Sequence, residues 1–69
     1  MIEKLTKSED PMFQEKYEGE RYSKRVICIL DDNCVRFVGF VNDKRVVRRE
    51  YANNKKALCM ARAIAWLNK

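Results

Sequence analysis

Residues 25–51 read RVICILDDNCVRFVGFVNDKRVVRREY. This stretch decides the fold, because it alternates extended apolar runs with turn signals. Arg25–Leu30 is a β-branched run and predicts a strand. Asp31-Asp32-Asn33 is a turn cluster. Val35–Val41 predicts a second strand, and Arg45–Tyr51 a third. Between them, Asn42-Asp43-Lys44 suits a tight turn, since Asn and Asp tolerate the positive φ of hairpin loops. Ala52-Asn53-Asn54 then offers a cap, because asparagine accepts bonds from the free N–H groups of a first helical turn. A helix is expected over Lys55–Asn68. The expected fold is α+β: a three-stranded antiparallel sheet packed on one C-terminal helix (β-β-β-α), over residues 23–69.

Residues 1–22 read as an irregular, partly ordered N-terminal arm. Ser8-Glu9-Asp10-Pro11 is a breaker cluster, and Gly19 is a second interruption. Met12, Phe13 and Tyr17 have the spacing of a short helical turn that docks on the body.

Period-two parity assigns the faces. With a two-residue loop at 42–43 or 43–44, Val35, Phe37, Gly39, Val41, Val46 and Arg48 share one face, joined by Val26 and Cys28. This mostly apolar face is expected to pack on the helix. The opposite face gathers Arg25, Arg36, Val38, Phe40, Arg45, Val47, Arg49 and Tyr51. A three-residue turn would exchange the faces of the last strand. On the helix, Leu67, Met60, Ile64, Ala57, Ala61, Ala65 and Leu58 form one wide apolar face. Lys55, Arg62 and Lys69 make a narrow basic stripe flanked by Cys59 and Trp66. Trp66 is expected to point outward, as a contact or as a cover for the arm through Phe13 or Tyr17.

Charge divides along the chain. Residues 1–20 carry six acids and three bases, and residues 21–69 carry twelve bases and four acids. The net +5 is thus the sum of −3 on the arm and +8 on the body. Arginines interleaved with strand valines suit a phosphate-facing surface. Lys55-Lys56 at the helix start is unfavourable against the positive end of the helix dipole unless an anion joins it. The structural alternative is plain: a sheet with one wet face carries charge there anyway.

The stretch FVGFVNDKRVVRREYANNKKALCMARAIAWL, residues 37–67, resembles the three-strand-plus-helix module of AP2-type domains and of tyrosine-recombinase arm-binding domains. Tyr51 stands at the aromatic and Ala57 near the alanine of the segment that ends the last strand and starts the helix. Lys56 replaces the acidic residue before that alanine, and asparagine replaces the threonine cap. The resemblance implies major-groove reading of duplex DNA by the outer sheet face, through Arg25, Arg36, Arg45 and Arg49. A second resemblance is to double-stranded-RNA-binding domains, on FVGFVNDKRVV and NNKKALCMARAIAWL. It implies phosphate contacts by Lys55 and Lys56. The glycines of that pattern are replaced by Tyr51-Ala52-Asn53.

The residues give little to catalysis. The chain lacks histidine, so no ordinary acid–base group titrates near neutrality. Ser8, Ser23, Cys28, Cys34 and Cys59 have no base partner in the sequence. Three cysteines and no histidine do not make a four-ligand zinc set, so no metal or other cofactor is expected. The cysteines read as free thiols of a cytoplasmic chain. No apolar run approaches a membrane span. A 69-residue domain has little core to spare for an enclosed substrate pocket.

The expectation is a small nucleic-acid-binding protein, contacting duplex DNA rather than RNA through Arg25, Arg36, Phe40, Arg45, Arg49 and Tyr51, with Lys55 and Lys56 as a second patch. The alternative is a protein-interaction module, such as a regulator or inhibitor of the kind phages encode, acting through Trp66 or the arm. Double-stranded RNA binding is the third reading.

Overall fold

The computed structural model describes residues 1–8 and 15–69. Five antiparallel strands lie side by side in chain order: β1 (Thr6–Ser8), β2 (Glu15–Arg21), β3 (Lys24–Leu30), β4 (Cys34–Val41) and β5 (Lys44–Ala52). A single 3-10 turn, Asn53–Lys55, leads into the helix α1, Lys56–Leu67. α1 covers one face of the sheet. The core between them is Leu5, Val26, Cys28, Leu30, Val35, Phe37, Cys59, Ala63 and Leu67. No helix among the described residues is long and apolar enough to cross a membrane.

The sheet therefore has five strands, not three, and ten of the sixteen described residues of the expected arm belong to it. β2 pairs with β3 along its whole length, from Glu15↔Leu30 to Arg21↔Lys24. Two features hid β2. Its outward residues Lys16, Glu18 and Glu20 are all charged, and beneath the helix it presents Tyr17 and Gly19 rather than an apolar run. Gly19 is a packing requirement, not a break: a Cβ there would lie 2.6 Å from a Leu5 methyl and 3.0 Å from a Leu67 methyl. The β2–β3 loop also lacks a turn signature, because Tyr22 holds φ at 59°, a region that favours Gly, Asn and Asp. The expected helical turn at Met12 and Phe13 lies outside the described residues, whereas Tyr17 is in β2.

Asn42 and Asp43 form the two-residue β4–β5 loop, with φ of 52° and 67°, as hairpin geometry demands. The expected parity of β5 nevertheless fails. Phe40 pairs with Arg45 and Gly39 with Val47, so Val46 is an extra residue in a β-bulge. A bulge inserts one residue and flips the faces beyond it. Val47, Arg49 and Tyr51 therefore lie on the helix side, with Arg48 and Glu50 on the outer side. Val46, expected in the core, is 57% exposed.

α1 is rotated from its expected orientation. It buries Cys59, Ala63 and Leu67, spaced i, i+4, i+8, and leaves Ala57, Leu58, Ala61 and Ala65 exposed. Small residues at 59 and 63 bring the helix axis close to the sheet, and a Leu-first face would hold it away. No side chain caps the helix start. Asn53 instead donates from its amide nitrogen to the Asp32 carbonyl at 2.8 Å, tying the turn to the β3–β4 loop.

The C-terminal end is held by cations. Lys24 Nζ donates to the carbonyls of Trp66 (3.4 Å) and Lys69 (3.0 Å), and Arg21 to that of Leu67 (3.4 Å). These carbonyls lie at the negative end of the helix dipole, where cations are favoured, and that of Trp66 also accepts the Lys69 N–H at 3.4 Å. The Asn68 side chain clasps Ile2, accepting from its N–H at 3.0 Å and donating to its carbonyl at 2.8 Å. Three residues on, Leu5 is buried in the core.

Candidate nucleic-acid interface

The bulge at Val46 divides the expected site residues between two faces. Arg25, Arg36, Phe40 and Arg45 are on the outer face, which α1 does not cover. Arg49 and Tyr51 are on the helix side. Lys55 ends the 3-10 turn and Lys56 opens α1, both exposed.

On the helix side, β5 and α1 diverge and leave an open groove of about 360 Å³. Its floor is Phe37, Val47, Tyr51 and Trp66, and its walls carry Arg49, Arg62 and Lys69. Among the described residues, no acid lines it. Arg49 sits two residues from both Val47 and Tyr51 on β5. Arg62 is on the flank of α1 facing β5, and Lys69 lies just past the end of the helix. Trp66 is half-buried, packed over Gly39, and forms part of the groove floor. Lys24 Nζ lies 5.4 Å from the Trp66 ring centroid, within cation–π range.

The sequence sets Lys55, Arg62 and Lys69 in one stripe, and only the fold brings Arg62, Lys69 and Trp66 beside Arg49 and Tyr51. The i, i+7 spacing beside the only tryptophan was the available signal. Trp66, expected to point outward, packs over Gly39 of β4 and lines the groove; of its expected arm contacts, Phe13 lies outside the described residues. The Tyr17 hydroxyl donates to Glu15 at 3.0 Å, and this bond to a carboxylate raises its pKa.

The outer face has a different character. Its arginines alternate with acids and aliphatic side chains. Three cross-strand rows run from β2 to β5: Glu20, Arg25, Phe40, Arg45; Glu18, Ile27, Val38, Arg48; and Lys16, Ile29, Arg36, Glu50. The Arg25 guanidinium stacks over Phe40, 5.1 Å from the ring centroid, and its buried Nε has no hydrogen-bond partner among the described residues. Lys16 and Glu18 lie 3.6 Å apart, and Arg48 pairs with Glu50.

The thiols divide as well. Cys28 of β3 and Cys59 of α1 are buried against each other between sheet and helix, and Cys34 is half-buried at the start of β4. The bond to Cys59, with burial, pushes the Cys28 thiol up. A thiol held protonated this way is a core group rather than a nucleophile.

No family model, curated protein or solved structure matches this chain.

Proposed function

We propose that this chain is a non-catalytic nucleic-acid-binding protein whose polyanion site is the β5–α1 groove. The observation that carries this reading is the lining itself: Arg49, Arg62 and Lys69 over an aromatic floor, with no acid among the described lining residues. An uncompensated cation cluster attracts phosphates, and aromatic walls suit sugar or base surfaces. The outer face, where Glu18, Glu20 and Glu50 break up the arginines, is the poorer phosphate surface. Lys55 precedes Arg62 by seven residues, so the basic track continues toward the start of the helix.

The test is fluorescence anisotropy with labelled duplex DNA, duplex RNA and single strands at two salt concentrations. Three phosphate contacts predict a log–log salt slope of about −2.7 on duplex DNA. Charge reversal at Arg49 and Arg62 should abolish binding. No binding to any of these polymers at about 50 mM salt, where phosphate contacts are strong, rejects the reading. A preference for single strands would assign the aromatic floor to unpaired bases.

A further inference from the structure

The three outer-face rows have a property that basicity alone does not require: each is the complement of its own reversal. Glu20, Arg25, Phe40, Arg45 reversed is Arg45, Phe40, Arg25, Glu20. Laid against the original, this gives acid on base, cation on ring, ring on cation and base on acid. Glu18, Ile27, Val38, Arg48 gives acid on base at both ends and aliphatic on aliphatic between. Lys16, Ile29, Arg36, Glu50 gives Lys16 on Glu50 at both ends, with Ile29 against the stem of Arg36.

We infer that the outer sheet face binds a second copy of this chain, sheet on sheet, about a two-fold axis parallel to the strands and passing between β3 and β4. That operation keeps position along the strands and reverses their order. It sets β2 of one copy over β5 of the other, so Glu20 meets the partner's Arg45, and Glu18 the partner's Arg48. Isologous contact of this kind is the commonest closed symmetry. The other aligned two-fold, across the strands, would set Glu20 on the partner's Lys16 and Arg45 on the partner's Glu50, but Glu18 on the partner's Glu18 and Arg48 on the partner's Arg48. The first pairs opposite charges at every edge contact, so charge selects the first axis. Like charges in register would oppose the second.

The dimensions allow it. Twisted sheets pack about 30° apart, which displaces corner pairs by about 5 Å at about 10 Å from the axis, a reach that Glu and Arg side chains span. Four strands at about 4.8 Å spacing and three rows at about 6.7 Å give a footprint of roughly 400 Å² per copy. The total of about 800 Å² falls below the roughly 1,000 Å² of a stable interface, so the dimer is weak and concentration-dependent. Half-buried Ile27, Ile29, Val38 and Phe40 form its dry centre. The β5–α1 groove lies on the opposite side and stays open in the dimer, so this inference stands apart from nucleic-acid binding.

Sedimentation velocity on the full chain, from about 10 µM to about 1 mM, a range matched to a small interface, tests it. The expected result is a rise toward twice the monomer mass. Glu20→Arg alone and Arg45→Glu alone each set like charges together twice and should be monomeric, with unchanged far-ultraviolet circular dichroism. An equimolar mixture of the two variants makes both contacts complementary and should restore dimers, as should the double variant in one chain. A wild type that stays monomeric throughout overturns the inference. So does a dimer that survives in both single variants, or a mixture that does not associate. A monomer whose binding to duplex DNA is lost in Arg45→Glu gives the face to nucleic acid and overturns it equally.

Discussion

Trp66 occupies the space that a side chain at Gly39 would fill. A Cβ on residue 39 would lie 2.8 and 2.9 Å from two carbons of the indole and 2.5 Å from a Val47 methyl. The two glycines of the chain, Gly19 and Gly39, fall in one cross-strand row with Val26 between them. They form a trough that receives the last turn of α1, Leu67 over Gly19 and Trp66 over Gly39. The helix angle, and hence the groove beside β5, depends on that trough. Gly39→Ala should therefore destabilise the fold by about 1–3 kcal/mol, the range for overpacking a filled core. Denaturant melts would read the loss, and Trp66→Leu in the same background should recover part of it, since contacting sites are not additive.

That trough marks the boundary of what the sequence discloses. β3, β4 and β5 were legible because their turn residues and β-branched runs are local signals. β2 was not, because its stability comes from neighbours: Gly19 has meaning only beneath Leu5 and Leu67. The bulge at Val46 was equally hidden. Nothing in Arg45-Val46-Val47-Arg48 marks which valine is extra; the choice is made by Val47 packing over the open space at Gly39. One inserted residue then moved Arg49 and Tyr51 from the expected outer face to the groove. The expected site split because its arithmetic assumed a ladder without irregularities.

The cysteines should separate by reactivity. Cys28 and Cys59 have no exposed surface, and their shared hydrogen bond keeps the Cys28 thiol protonated. Cys34 is half-buried at the β3–β4 turn. With a colorimetric disulfide reagent at pH 8, one thiol per chain should react at first. The other two should be slower by at least ~100-fold, because labelling must await opening of the core. Three equal rates would mean that α1 does not cover β3 as described.

Asp31 should leave a signature in acid. Its carboxylate accepts the N–H groups of Asn33 and Cys34, each at 2.9 Å. The bond from Cys34 first, then that from Asn33, lowers its pKa. A depressed folded pKa means the contribution to stability is present above the unfolded value, about 3.9, and is lost as pH falls through the folded one. Thermal melts between pH 6 and pH 2 should therefore show a loss beginning near pH 4. Asp31→Asn keeps an acceptor oxygen without the charge, so it should flatten that part of the profile. A variant with the wild-type acid limb would assign the loss to other carboxylates.

The helix C-terminus gives a test of charge against carbonyl. Lys24 Nζ donates to the carbonyls of both Trp66 and Lys69. Lys24→Met keeps the apolar stem and removes the donor, and should cost about 0.3–1 kcal/mol, the usual worth of a cation at this position. High salt should shrink the difference between the two proteins, since screening weakens exposed charge interactions. A salt-independent difference would instead assign the effect to packing against Trp66.

Trp66 reports on one face of the sheet only. It is the sole tryptophan and lines the β5–α1 groove, and the outer face lies across the sheet from it. Nucleic acid entering the groove should therefore change its emission, by stacking or by displacing water from the ring edge. Self-association across the outer face should leave that emission unchanged. A titration of duplex DNA into about 1 µM protein, below the range in which a small interface associates, should quench or shift the emission with the same midpoint as anisotropy. A rise in protein concentration without nucleic acid should alter sedimentation and not the spectrum. If DNA binds with Trp66 silent, the phosphates lie elsewhere, and Lys55 and Lys56 become the residues to reverse next. If the spectrum follows protein concentration instead, the copies meet on the helix side, and the outer face loses its partner.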